Sequence, residues 1–335
     1  SMQLLDCTLR DGANVVGKGF SAELTDMMLS GLIRSGIKVI EYGNSGGIGA
    51  YEVAKFIAPL TDREYLDLAR PYLKKAEIGM FLNAKRYREK SVALAAENGL
   101  SFLRIGADAG DAAIALEPLA KVKEYGLKAR YSMMKAYLLT PEQLAEEAKL
   151  LESKGLDEIT IMDSAGAMTP EQAARYSEAL SHALSIPVGF HGHNNLGLSI
   201  ANALAAAEHG ARVIDCGLLG MARSAGNIPT EAAAAVLQHT GLLEPGIDLY
   251  GLLRFLDEEL IPAMKLHDYR PAITPIELIL GYSGCHSSFL KLFTRIAAEK
   301  KVSLYRLIVE VSAQNRKNPS EELILSVAET LPEER

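Results

Sequence analysis

The sequence predicts an α/β protein: a (β/α)8 barrel of the TIM type followed by a C-terminal helical domain. Eight short apolar, β-rich runs alternate with amphipathic helical patterns along most of the 335 residues. The alternation stops near Gly241, beyond which only helical patterns remain. Polar residues poorly suited to helices gather where several of the runs end. Successive β-then-α units build a parallel sheet with helices on its faces, and eight is the number that closes a barrel. An open, doubly wound sheet is the rival, because periodicity alone does not decide closure. The expected division is a barrel domain over residues 3–241 and a helical lid or assembly domain over residues 242–335.

Taken in order, the runs are 4–9, 38–41, 78–82, 102–105, 129–133, 158–162, 188–191 and 213–218. Between them, a helix is expected from Pro141, with Thr140 as its N-cap and proline in its first turn. A second opens the same way at Thr169-Pro170. Gly36, Gly99, Gly126, Gly155 and Gly210 each follow a helical pattern and precede a run, where helix C-terminal caps belong. In the tail, residues 287–299 and 303–313 read as amphipathic helices.

Composition excludes several classes of function. The chain is 48% hydrophobic and 23% charged, the balance of a globular protein with a sizeable core. Its net charge of −7, without a long Lys/Arg run, offers no nucleic-acid footprint. No apolar run approaches the ~20 residues of a membrane span. Ser1-Met2 reads as the remnant of a cleaved tag. Cys7, Cys216 and Cys285 are far apart and show no disulfide framework, so a cytoplasmic chain is expected.

The most polar run ends are Thr8-Leu-Arg-Asp-Gly12, Glu41-Tyr-Gly-Asn44, Asp163-Ser-Ala-Gly166 and His191-Gly-His-Asn-Asn195. In such barrels the site forms where strands end and βα loops begin. His191 and His193 at i and i+2 on a strand point to one face and can reach one metal ion. A hydrogen-bonded histidine pair at a strand end is the plainer alternative. Asp11, at another strand end, supplies the carboxylate that favours the metal. Two imidazoles and one carboxylate leave positions open for substrate, as a catalytic site requires. Gly192 between them is expected to allow close approach of backbone or ligand.

Arg10 reads either as half of a barrel-end salt bridge with Glu41 or as a fixed cation facing charge that develops on a substrate oxygen. The run from Gly43 to Gly49 matches no nucleotide-binding spacing and reads as a flexible loop. No G-x-S-x-G elbow is present, which argues against a hydrolase triad. Asp215 and Cys216 could face the barrel mouth, with Cys216 reading as a small core residue rather than a nucleophile.

Leu5-Asp-Cys-Thr-Leu-Arg-Asp-Gly12, Phe190-His-Gly-His-Asn-Asn195 and Ser224-Ala-Gly-Asn-Ile-Pro229 together resemble the DRE-TIM metallolyase superfamily. That superfamily includes isopropylmalate and homocitrate synthases, hydroxymethylglutaryl-CoA lyase and 4-hydroxy-2-oxovalerate aldolase. Its naming Asp, Arg and Glu fall on Asp11, Arg10 and Glu41. Asp163-Ser-Ala-Gly-Ala-Met168 and Gly281-Tyr-Ser-Gly-Cys-His-Ser-Ser-Phe-Leu290 are similar to the aldolase branch. The loop Gly220-Met-Ala-Arg-Ser-Ala-Gly226 lacks the cysteine expected of the hydroxymethylglutaryl-CoA lyase.

This resemblance implies a metal-assisted retro-aldol cleavage of a 4-hydroxy-2-oxo acid to an aldehyde and pyruvate enolate. Asp11, His191 and His193 would hold the ion, and Asn227 would be a fourth ligand, a support behind the ligands, or simply a loop cap. Mn²⁺ is the implied metal, with Mg²⁺, Co²⁺ and Zn²⁺ compatible with the donors. Arg10 would stabilise the enolate oxygen, with Glu41 beside it, and Ser164 and Asn14 would contact substrate. The branch also implies an acylating aldehyde dehydrogenase as partner, and a homo-oligomer is expected. The alternatives are a Claisen-type condensation of an acyl-CoA with a 2-oxo acid, and a barrel acting mainly as partner of the dehydrogenase.

Two positions depart from the branch. Asn14 stands where its histidine base is expected, and a neutral amide accepts no proton. His286 stands where a tyrosine is expected. His286 is therefore a candidate for the acid/base duty, its ordinary pKa near 6.5 suiting that role. The alternative is a pocket reshaped at both positions, with a water on the metal as base.

Overall fold

Each apolar run becomes a strand because alternate residues meet helices outside and a filled interior inside. The computed structural model describes residues 1–272, 274–285 and 287–334. The strands are β1 (Gln3–Asp6), β2 (Val39–Glu41), β3 (Glu77–Asn83), β4 (Phe102–Asp108), β5 (Lys128–Met134), β6 (Glu158–Asp163), β7 (Val188–Gly192) and β8 (Val213–Cys216). Each pairs in parallel with its neighbours in sequence, and β8 returns to β1 with Leu4 opposite Ile214 and Leu5 opposite Asp215. The sheet is thus a closed barrel, not an open doubly wound one.

The expected helix ends are as the sequence reads. Helices Pro141–Ser153 and Pro170–Ala183 open with full capping boxes, Thr140 with Gln143 and Thr169 with Gln172. Gly36 closes helix Ala22–Arg34 at φ +90°. Its N–H reaches Ile33 O, and Ile37 N–H reaches Leu32 O, both at 3.0 Å. This is a Schellman cap, which needs the left-handed conformation that glycine adopts without cost.

Two strands stop earlier than the apolar pattern suggests. β1 ends at Asp6 because its Oδ1 accepts from Thr8 N at 2.9 Å and Thr8 Oγ1 at 2.7 Å, turning the chain out of the sheet. β8 ends at Cys216, and Leu218 enters a 3-10 turn (Leu218–Gly220). Gly43–Gly49 departs from its expectation as a flexible loop, since residues 43–49 are buried. Asn44 Oδ1 accepts from Gly46 N at 2.9 Å, and Gly49 N donates to Asp62 Oδ2 at 2.8 Å.

The barrel interior is layered. Leu5, Cys7, Val39, Phe102 and Val213 form a small buried cluster of their own. Two residues further along β2, β4 and β8 stand Glu41, Arg104 and Asp215, and both carboxylates meet the Arg104 side chain. Strands that far apart can touch side chain to side chain only through the interior. Arg104 donates to Glu41 Oε2 at 2.7 Å and to Asp215 Oδ2 at 2.7 Å. Two carboxylates compensate a guanidinium removed from water. Lower down, Arg130 pairs with Glu158 and lies 4.7 Å over the Phe102 ring.

Beyond the barrel the chain is helical. Helices Leu249–Phe255, Pro275–Ser283, Leu290–Lys300, Leu304–Gln314 and Glu321–Thr330 carry most of it. The pattern at 287–299 begins as a 3-10 turn, Ser287–Phe289, before its helix, and Ser303 caps Leu304–Gln314 by accepting from Arg306 N. The tail is tied to the barrel mouth by Tyr269, whose hydroxyl donates to Leu219 O at 2.6 Å. Among the described residues no helix is long and apolar enough to cross a membrane.

Candidate metal and active site

β7 and the residue that follows it present His191 and His193 to the C-terminal mouth of the barrel, as alternation requires. Their ring centroids are 5.2 Å apart. The β1 turn brings Asp11 to them: its Oδ2 lies 3.5 Å from His191 Nε2 and 3.8 Å from His193 Nε2. Two donors each about 2.1 Å from one ion stand roughly 3 to 3.5 Å apart at tetrahedral or octahedral angles. The spacing therefore fits a shared cation, and the three donor atoms lie within 4.8 Å of one another.

The remaining nitrogens decide which way the rings face. His191 Nδ1 is 2.8 Å from Asp215 Oδ2, and His193 Nδ1 is 3.2 Å from Gly226 O. Each Nδ1 thus carries its hydrogen toward an acceptor, leaving Nε2 as the lone-pair donor. His191 Nε2 is buried without a hydrogen-bond partner, a costly state that an ion would relieve. The residues present fit a divalent metal.

Electrostatics agree. Burial raises the Asp11 carboxyl, but Arg10, His191 and His193 outweigh it and hold the group well below the usual carboxylate range. Burial lowers His191, yet Asp11 and Asp215 carry it up to about 9. Burial and the charge of His191 push its neighbour His193 down to about 4. Without an ion the two carboxylates thus favour a second proton on His191, which a cation at Nε2 would displace, while His193 keeps a neutral nitrogen.

Asn227, on the loop after β8, donates from Nδ2 to Asp11 Oδ2 at 2.8 Å, and its Oδ1 is buried without a partner. It sits against the triad rather than capping its own loop. Arg10 makes the expected salt bridge with Glu41 and also faces the cavity. Its Nε donates to Glu41 Oε1 at 2.7 Å, and its side chain lines the cavity above. Glu41 does not line that cavity; it is fully buried beneath, bonded to Arg10 and Arg104, and their charges bring it down to about 2 against the effect of burial.

The cavity holds ≈ 360 Å³, with Asp11, His191 and His193 among its lining residues. Ser164 and Asn14 line it too. Ser164 Oγ accepts from Lys135 N at 2.9 Å, so its own hydroxyl hydrogen remains to donate. Asn14 Nδ2 donates to Asp11 O at 2.9 Å. His286 lies outside the described residues.

Other polar strand ends are structural. Asp163 accepts from Ala167 N at 2.9 Å and Met168 N at 3.0 Å, shaping the loop after β6. Tyr42 donates to Tyr65 O at 2.8 Å. Gly192 points away from the site, and a Cβ there would meet Phe190 Cε1 at 2.9 Å. The glycine thus serves outer packing, not ligand approach. Cys216 is a buried core thiol that burial holds well above its usual range.

Sequence reasoning missed Arg104 and gave Asp215 no task. A lone arginine inside the apolar run Phe102-Leu-Arg-Ile105 was the available signal. It also missed Lys135, which has a left-handed backbone (φ +52°) and pairs through Nζ with Asp108 Oδ2 at 3.0 Å.

Comparison with known proteins matches this geometry. The HMGL-like family matches residues 1–258, and the DmpG-like communication domain matches residues 271–333. Proteins named 4-hydroxy-2-oxovalerate aldolase from Carboxydothermus hydrogenoformans and Chloroflexus aggregans are 36% and 35% identical, over 98% and 99% of this chain and 96% of each relative. In fold, the chain resembles HMG-CoA lyase of Bacillus subtilis at TM-score 0.66 and 18% identity, over 81% of this chain and 95% of that one. Matches along the whole barrel, and relatives that run nearly end to end with it, establish that this chain belongs to the HMGL-like, or DRE-TIM, family.

Proposed function

We propose that this chain is a divalent-metal-dependent aldolase that cleaves a 4-hydroxy-2-oxo acid to pyruvate and an aldehyde. The carrying observation is the convergence of Asp11 Oδ2 with the Nε2 atoms of His191 and His193 on a cavity that Arg10 also lines. Relatives named for that activity, aligned along nearly the full chain, support it.

An ion held by the triad, Mn²⁺ in our reading, would supply Lewis-acid polarisation of the ketone and a template for the 2-oxo carboxylate. Asn227 steadies Asp11 and, with its amide turned over, would offer Oδ1 as a further ligand. Arg10 is fixed at Nε by Glu41, so its terminal nitrogens are preorganised toward the oxygen that becomes the enolate. Glu41 acts through Arg10 and is a positioning residue. Ser164 donates its hydroxyl hydrogen to substrate, and Asn14 contacts substrate without taking a proton. His286 removes the 4-hydroxyl proton.

The match over residues 271–333 supports an acylating aldehyde dehydrogenase as partner of the C-terminal helices. Cys7, just after β1, and Cys216, at the end of β8, are buried thiols that suit a reducing cytoplasm. The test is a panel of 4-hydroxy-2-oxo acids with the metal-stripped chain and with Mn²⁺, Mg²⁺, Co²⁺ or Zn²⁺ restored. Metal-dependent pyruvate release is expected; CoA release from acetyl-CoA and 2-oxo acids, without pyruvate, would favour a Claisen enzyme. Size-exclusion of the chain alone and with a dehydrogenase reads its assembly.

A further inference from the structure

The inner end of the cavity is taken by the triad and Arg10, but its rim also carries cations. Arg86 reaches it from the 3-10 turn Ala84–Arg86 after β3, and Arg223 from the loop after β8. Three strand positions separate them around the mouth. The arginines of the barrel interior are matched by acids: Arg10 to Glu41, Arg104 to Glu41 and Asp215, Arg130 to Glu158. Lys135, also on the rim, is matched by Asp108. Among the described residues, neither Arg86 nor Arg223 has a carboxylate partner.

Arg86 is nonetheless held in place. Its guanidinium carbon lies 4.6 Å from the centre of the Phe56 ring, and Nη1 reaches Gly46 O at 3.5 Å. Lys18 Nζ lies 4.4 Å from the same ring. Burial, and then the charge of Arg223, lower the Arg86 guanidinium from its ordinary value, so the two cations feel each other. In a chain of net charge −7, acids to place between them are plentiful. The acids that do line the cavity, Asp11 and Asp108, pair with Arg10 and the histidines and with Lys135. Two like charges left together without a carboxylate of their own are what an anionic ligand requires. The substrate's 2-oxo carboxylate belongs at the inner end, with the ion and Arg10, and so does not account for them.

Resting on the aldolase reading, we propose that the substrate carries a second anionic group, carboxylate or phosphate, on the part released as aldehyde, and that Arg86 and Arg223 bind it. Cleavage breaks C3–C4 and leaves the electron pair on C3 of the pyruvate enolate, which is then protonated. The 4-hydroxyl proton goes to the base, C4 becomes the aldehyde carbon, and the anionic group departs with it unchanged. No oxidant or further reactant is needed.

Binding of unreactive 2-oxo acids to the metal-loaded chain, followed by calorimetry, tests this apart from turnover. 2-Oxoglutarate is compared with 2-oxopentanoate, and 2-oxoadipate with 2-oxohexanoate, pairs that differ at the far end of the chain. A 2-oxo acid with a terminal phosphonate separates phosphate from carboxylate recognition. The dianion is expected to bind about tenfold tighter or more at one of these lengths. In R86Q/R223Q that ratio should fall toward unity. No preference for any dianion in the wild-type chain, or a preference that the double variant keeps, overturns the proposal. In parallel, pyruvate release from 4-hydroxy-2-oxo acids with neutral and anionic ends is measured. A dianion preference without pyruvate from any substrate would sink the aldolase reading and leave the anion site standing.

Discussion

His191 Nδ1 stands 2.8 Å from Asp215 Oδ2, and the same oxygen accepts from Arg104 Nη1 at 2.7 Å. One buried carboxylate thus orients the ring of a proposed metal ligand from behind while an arginine in the barrel core fixes the carboxylate. Glu41 does the equivalent for Arg10, sharing Arg104 with Asp215. The two halves of the site, metal and cation, rest on one charged layer across the barrel.

Asp215→Asn should therefore weaken the metal rather than abolish the fold. About a 10- to 100-fold loss of metal affinity is expected, the usual effect of removing such a partner. Metal titration against a chelating indicator reads it, with the melting temperature as control for folding. Unchanged affinity would show that Asp215 serves Arg104 alone.

Removing a ligand should act more severely. In Asp11→Ala or His193→Ala, metal content and pyruvate release should be lost together. In the wild-type chain, chelation should remove both and Mn²⁺ restore them. Full turnover by metal-free protein would be incompatible with the proposed role of the triad.

Glu41→Ala leaves Arg10 and Arg104 facing each other with their shared acid gone. Uncompensated buried charge costs about 3 to 5 kcal/mol. Urea unfolding should show a loss of unfolding free energy of that order, alongside reduced kcat. A loss of activity with unaltered stability would mean that Glu41 takes part in the chemistry directly.

His286→Ala should lower turnover by about 10² or more, the usual contribution of a general acid or base, while metal content stays intact. Substantial residual activity would return the proton transfer to another group. Asn14→His in the same background provides a complementary measurement, since it restores a titratable ring to the cavity.

Stability should also depend on pH through two buried acids outside the metal site. Burial raises Asp6 to about 6 and Glu231 to about 7. Because their folded values exceed their unfolded ones, their ionisation opposes folding. Their cost is absent below the ordinary carboxylate values, grows as pH rises to about 7, and is constant above. Glu231→Gln keeps an oxygen for Leu219 N, which donates to Glu231 Oε1 at 3.0 Å. The variant should show a shallower fall of urea midpoint between about pH 5 and 7 than the wild-type chain, and equal slopes would refute this assignment.

Much of the site was legible because its signals are local. His191 and His193 share a face by the two-residue period of a strand, and Thr140 and Thr169 cap helices through contacts three residues away. Arg10 and Asp11 sit in a turn set by Asp6 and Thr8. Gly192 misled, because adjacency to the histidines suggested a role facing the ligand, whereas a neighbour on a strand faces the other way.

The sequence alone determined the β/α alternation, the helix ends and the candidate triad, all consequences of periodicity and short-range hydrogen bonding. Tertiary structure decided what those signals leave open. Closure by β8 on β1 brings Asp215 and Arg104, 111 residues apart, into one ion pair behind His191. It also places Glu41 beneath Arg10 instead of beside the substrate, and sets Arg86 and Arg223 on one rim. Such meetings depend on which strand lies across the barrel from which, and that is a property of the closed sheet rather than of any stretch of chain.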